Sequence, residues 1–193
     1  CGISREDILS ESYLTLAEAI MDSAGKLEAE EISWQEHVAE CEALSREGMR
    51  NEPFMHDLRD FFAGRPTPAG MRFRNDFPSL KRADTYLFSL TRIPFDRETQ
   101  RRLLDAWYAL ITYFLVLDDL DDIRKDFEKK EENAVIDAGL SEEGAARIIA
   151  MMDESYELML RVNPVMANRI DHKRSTIDVR AIIRSFLQEQ PRA

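Results

Sequence analysis

The chain has 193 residues, with 26 Lys and Arg against 37 Asp and Glu, a formal net charge of −11, 44% hydrophobic and 33% charged residues. That surplus of acid argues against a nucleic-acid backbone as the main partner, because phosphate contact needs basic surface, and equally against a purely electrostatic hold on anionic lipid. The hydrophobic share is that of a folded globular chain, and the length suits one domain, 1–193, with a candidate break at 64–70.

Cys1 and Gly2 open the chain. With Cys41 as the only other cysteine there is no disulfide framework, and three histidines leave few ligands for zinc. A cytoplasmic, reducing compartment is expected; the alternative is a lipid anchor on Cys1, in the position of a mature bacterial lipoprotein's modified cysteine. No apolar run approaches the roughly 20 residues needed to cross a bilayer, so no transmembrane segment is expected.

Ser4 with Glu6 and Asp7 reads as a helix start, and Ile8, Leu9, Tyr13, Leu16, Ile20 and Leu27 then recur at helical spacing. Gly25 marks an end or a weak point in that pattern. Ser33 with Glu36 forms the signature of a capping box for a second helix, whose apolar stripe is Trp34, His37, Val38, Cys41 and Leu44 and which ends at Gly48. His37 on that stripe reads as a hydrogen-bonded core residue, with a ligand role as the alternative. Asn51 opens a short helix carrying Phe54, Met55, Leu58, Phe61 and Phe62, on which Asp57 and Asp60 are expected to pair with Arg59 and Arg65. The run Gly64 to Gly70, GRPTPAG, is the clearest break.

Arg72, Arg74, Lys81 and Arg82 follow as the most basic stretch. They are the candidate cations for a diphosphate, or else they offset surplus acid. A helix then continues to Pro94, and Asp96 caps a long central helix expected over 97–132. Ser141 caps the next, with Ile148, Ile149, Met152, Tyr156, Met159 and Leu160 on its inner face; Met151, Met152, Met159 and Met166 read as adaptable core filler. Asn163-Pro164 breaks the pattern, and a last helix carries Ile170, Ile177, Val179, Ile182, Ile183, Phe186 and Leu187. No alternating strand pattern or internal repeat is present. The expected fold is therefore all-α, an antiparallel helical bundle of six to eight helices around 97–132. Self-association into a homo-oligomer is left open.

The chemistry concentrates in Tyr113 to Asn133, YFLVLDDLDDIRKDFEKKEEN. On a helix Asp118, Asp122 and Asp126 recur every four residues, with Asp119 beside them, directly after an apolar run. Like charges at that spacing destabilise a helix, so something should offset them. One solution is a hard cation: Mg²⁺ takes oxygen ligands and is commonly held by one or two carboxylates plus substrate phosphates. The other is a solvated charged face, with Arg124, Lys125, Lys129 and Lys130 neutralising Asp121, Asp122 and Asp126, and Asp118 or Asp119 capping a second helix.

The stretch resembles the second metal-binding motif of the class I isoprenoid synthases, the terpene synthases and prenyltransferases. Asp118 stands at the first ligand position, Asp122 at the Ser/Thr position and Asp126 at the final acidic position, while Asp118-Asp119-Leu120-Asp121-Asp122 matches the DDxxD form. The similarity runs on through Asn133-Ala134-Val135 and Ser141-Glu142-Glu143. The resemblance implies a helical protein in which Asp118, Asp119, Asp122 and Asp126 bind Mg²⁺ against a prenyl diphosphate, with Arg72, Arg74, Lys81 and Arg82 on the diphosphate, as a Mg²⁺-dependent lyase or transferase or as a shortened, inactive relative. The nearest counterpart of the family's upstream acidic motif is His56-Asp57-Leu58-Arg59-Asp60, with histidine in place of an aspartate. No residue is singled out as catalytic. The alternative function is a non-enzymatic helical interaction module or lipoprotein with a solvated acidic helix face.

Overall fold

The structure is a computed structural model that describes residues 3–67 and 77–189. Cys1, Arg72 and Arg74, with their expected roles, lie outside the described residues, as do residues 68–70 of the break expected at 64–70. All regular structure among the described residues is helical, without a strand. In chain order the helices are α1 (Arg5–Ile8), α2 (Glu11–Glu28), α3 (Trp34–Arg46), α4 (Glu52–Phe62) and α5 (Pro78–Asp84), a 3₁₀ segment (Thr85–Arg92), then α6 (Arg97–Asp121), α7 (Ile123–Lys129), α8 (Ala134–Asp137), α9 (Glu142–Val162), α10 (Pro164–Thr176) and α11 (Val179–Glu189).

The all-α expectation holds, but eleven α-helices are described where six to eight were expected. The extra ones arise where expected helices divide, α1 from α2, α6 from α7 and α10 from α11, and at the short α8. Ser10 accepts the Tyr13 N–H and separates α1 from α2. Asp122 interrupts the expected 97–132 helix, and Lys130, in the left-handed region at φ 60°, closes α7. The local signals otherwise hold. Ser33 and Glu36 form the full capping box, Asn51 caps α4, Asp96 accepts the Thr99 N–H, and Ser141 caps α9. Asn163 both ends α9 and caps α10.

The chain divides into two compact units. The first draws its described residues from 3–67 and 82–102. There α2, α3 and the 3₁₀ segment pack on one another, with α4 also against the 3₁₀ segment. Leu16, Ile20, Cys41, Phe54, Met55, Leu58, Leu87 and Phe88 are its buried centre, and the rings of Phe62 and Phe88 stack at 5.2 Å. The second draws on 77–81 and 103–189, and in it α9 packs against α8, α10 and α11. Its interior includes Tyr113, Val116, Leu120, Ile123, Ile148, Met152, Val179, Ile183 and Phe186. No helix among the described residues is long and apolar enough to cross a membrane.

Candidate functional site

The acidic stretch lies in the second unit, and the fold separates its aspartates. Val116, Asp119, Leu120, Ile123 and Asp126 form the buried stripe of α6 and α7. Asp119 and Asp126 therefore turn inward, at 8% and 7% exposure, whereas Asp118 is exposed and Asp122 partly so. Asn133 joins the two inward residues. Its side-chain Nδ2 donates to the Asp119 carbonyl at 2.7 Å and to Asp126 Oδ2 at 2.8 Å, and its Oδ1 accepts the N–H groups of Val135 and Ile136, capping α8. Asp119 Oδ2 in turn accepts the Ala134 N–H at 2.7 Å and, more weakly, the Ser79 hydroxyl at 3.5 Å. The result is a clasp: the Asp119 carboxylate holds the Ala134 N–H, and the Asn133 carboxamide ties Asp126 and the Asp119 main chain to the first turn of α8.

Burial pushes the Asp119 carboxyl up to about 6; the Ala134 N–H opposes the rise, and the nearby charges of Asp126 and Asp118 add to it. Asp122 instead pairs with Lys125 at 2.7 Å, and Arg124 reaches Glu189 rather than an aspartate of the stretch.

A magnesium ion needs several oxygens converging on one point in near-octahedral array. The aspartates as placed do not offer that: two face the interior with oxygens engaged by N–H donors, and two face outward. Among the described residues no group of three or more His, Cys, Asp or Glu side chains is placed to hold a metal ion. Of the candidate diphosphate cations, Lys81 is exposed in the second unit and Arg82 is half-buried in the first.

The upstream acidic pair, in the first unit, is also engaged. Asp60 pairs with Arg65 at 2.7 Å as expected, but Arg59 turns to Glu42, also at 2.7 Å. Asp57, almost wholly buried, is held by Arg97 and by Gln100 Nε2 at 2.7 Å. His37 is a fully buried, hydrogen-bonded residue: Nδ1 lies 2.8 Å from Ser23 Oγ and Nε2 3.1 Å from Thr85 Oγ1. Thr85 donates its own proton to the Arg82 carbonyl at 2.7 Å and Ser23 donates its proton to Glu40 Oε2 at 2.8 Å, so each hydroxyl offers the imidazole a lone pair. Burial pulls the imidazole below its ordinary value; Glu40 opposes this and Arg82 adds to it.

Residues that pattern reading missed are those whose partners are distant: Asn133 for the two aspartates, Arg97 for Asp57, and Ser23 and Thr85 for His37. The one available signal was an Asn directly before a short apolar run, which reads as a cap but not as a bridge. Compared with family models, with curated proteins and with solved structures, the chain finds no match in any of the three.

Proposed function

We propose that the protein is a non-enzymatic helical interaction module, in which the acidic stretch serves structure. The observation that carries this reading is the pair of bonds from Asn133 Nδ2 to the Asp119 carbonyl and to Asp126. The Asn133 carboxamide satisfies Asp126 and the Asp119 main-chain carbonyl, while the Ala134 N–H engages the Asp119 carboxylate, so donors from the protein do the work that a cation would otherwise do. The cytoplasm is the compartment that fits this reading, with Cys41 kept as a reduced, buried thiol.

A second reading is favoured by one specific observation. Asp118 and Asp122 lie one helical turn apart, with the Asp122 N–H on the Asp118 carbonyl at 2.8 Å, and both keep access to solvent. Two carboxylates are enough for Mg²⁺ when phosphate oxygens complete the shell. The isoprenoid-synthase-like reading, with Mg²⁺ and a prenyl diphosphate, rests on that pair. Titration calorimetry of Mg²⁺ with pyrophosphate into the wild-type chain and Asp118→Ala separates the two. The module reading expects heats of dilution from both proteins. A saturable wild-type isotherm that Asp118→Ala abolishes would replace it with the second reading.

A further inference from the structure

The second unit contains a groove that no part of the acidic stretch enters. Helices α10 and α11 are joined by only Ile177 and Asp178, and where they diverge over α9 they leave a cleft of about 460 Å³. That lies within the roughly 300–1,000 Å³ of clefts that take small molecules. Its apolar lining is Ile149, Met152, Ile177 and Val179, and its charged rim is Arg174, Arg180, Asp153 and Asp178.

The rim charges are not equivalent. Asp153 already meets Arg174 at 2.6 Å, and Asp178 Oδ1 accepts the Ala181 N–H at 2.9 Å in the first turn of α11. Both acids of the rim are thus engaged within the protein. Arg180 pairs only through Nε, with Glu142, which lies outside the groove, and its two Nη groups take no part in that pair. Arg174 is held in place by Asp153, by Asp171 at 3.3 Å and by the Tyr156 ring 4.3 Å beneath its guanidinium, each carboxylate taking one of its two Nη groups. The donors left over at the rim are therefore cationic, although the whole chain is strongly acidic. A guanidinium fixed by stacking and by two carboxylates is preorganised for a carboxylate or phosphate oxygen.

We propose that this groove binds a small amphipathic carboxylate of the fatty-acid class, its head on Arg180 and Arg174 and its chain over Ile149, Met152 and Ile177. A single-molecule cleft of this size suits a free acid rather than a membrane surface. The groove shares no residue with the Asp119–Asn133–Asp126 clasp, so either assignment stands or falls without the other.

The test is an amide and methyl NMR titration of the full chain at low salt with octanoate, octyltrimethylammonium and 1-octanol. Octanoate is expected to give saturable shifts confined to Ile149, Met152 and 177–180, at least fivefold tighter than 1-octanol. Octyltrimethylammonium should give none. Because Arg174 also braces three neighbours, the diagnostic variant is the rim residue, Arg180→Glu, which should weaken octanoate at least fivefold while leaving the fold's spectrum intact. Equal affinity for octanoate and octyltrimethylammonium, an unchanged Arg180→Glu, or shifts scattered away from the groove would overturn the assignment. So would co-sedimentation with phosphatidylglycerol vesicles in the absence of octanoate binding.

Discussion

Asp119 offers a quantitative check on the clasp. Its carboxyl rises from 3.8 to about 6, with burial as the largest cause. At about 1.4 kcal/mol per tenfold change in proton affinity, that rise corresponds to about 3 kcal/mol of native-state cost for the ionised form. In the unfolded chain the group ionises near the ordinary value, so between about pH 4 and about pH 6 the fold retains a proton that the unfolded chain has lost. Stability therefore falls as pH rises through that window and levels off above it. Asp119→Asn keeps an oxygen for the Ala134 N–H but cannot ionise. It gives up the charge-assisted part of that bond, worth about 1 kcal/mol. The variant should then match or fall slightly below wild type near pH 4 and exceed it by about 2 kcal/mol near pH 7.5. Urea unfolding of both proteins at the two pH values measures this, and the difference between them cancels the many other carboxylates. A stability offset that is the same at both pH values would refute the reasoning, because it would mean that the native carboxyl ionises as it does in the unfolded chain.

Three further outcomes follow from single sites. Asn133→Ala removes the cap of α8 and the donors to Asp126 and to the Asp119 main-chain carbonyl, and urea unfolding should show a loss of about 2–4 kcal/mol. Two glycines should respond in opposite directions: a Cβ at Gly144 would meet the Gly139 carbonyl oxygen at 1.6 Å, whereas one at Gly25 meets nothing within 4 Å. Gly144→Ala should thus cost about 3 kcal/mol or prevent folding, while Gly25→Ala, within the exposed face of α2, should raise stability by about 0.5–1 kcal/mol in the same assay. Finally, burial pushes the Cys41 thiol up to about 12, so a thiol reagent near neutral pH should leave Cys41 unlabelled in the native chain and label it once urea unfolds the protein.

What the sequence made legible was what lies close in the chain. Ser33 and Glu36, Asn51, Asp96, Ser141 and Asn163 each act within three or four residues, and each does so in the structure. Partners across long separations left no such trace. On sequence the expected partners of Asp57 and Asp60 are the nearby Arg59 and Arg65. The fold instead brings Arg97 to Asp57 across forty residues and sends Arg59 to Glu42, because the buried Asp57 needs donors and the first turn of α6 supplies them.

The acidic stretch shows how periodicity alone misassigned a face. An α-helix turns about 100° per residue, so residues four apart drift: Asp126 lies about 80° around the rod from Asp118, whereas Asp119 and Asp126, seven apart, return to within about 20°. The every-fourth-residue spacing that suggested a shared ligand face therefore describes a spiral that passes from solvent to core. The every-seventh spacing describes the buried edge, shared with Val116 and Ile123. Once two acids fall on that edge, each needs a donor, and a lysine or arginine would bring its own desolvation cost. Here the neutral Asn133 amide meets that need for Asp126 and the Ala134 main-chain N–H meets it for Asp119, with less charge to bury. Asn133→Asp, which keeps the size and the cap but replaces the amide donor to Asp126 with a third carboxylate, should cost more stability than Asn133→Ala in urea unfolding near neutral pH, because it sets like charge beside Asp126 where alanine only removes a bond; an equal or smaller cost would count against the clasp.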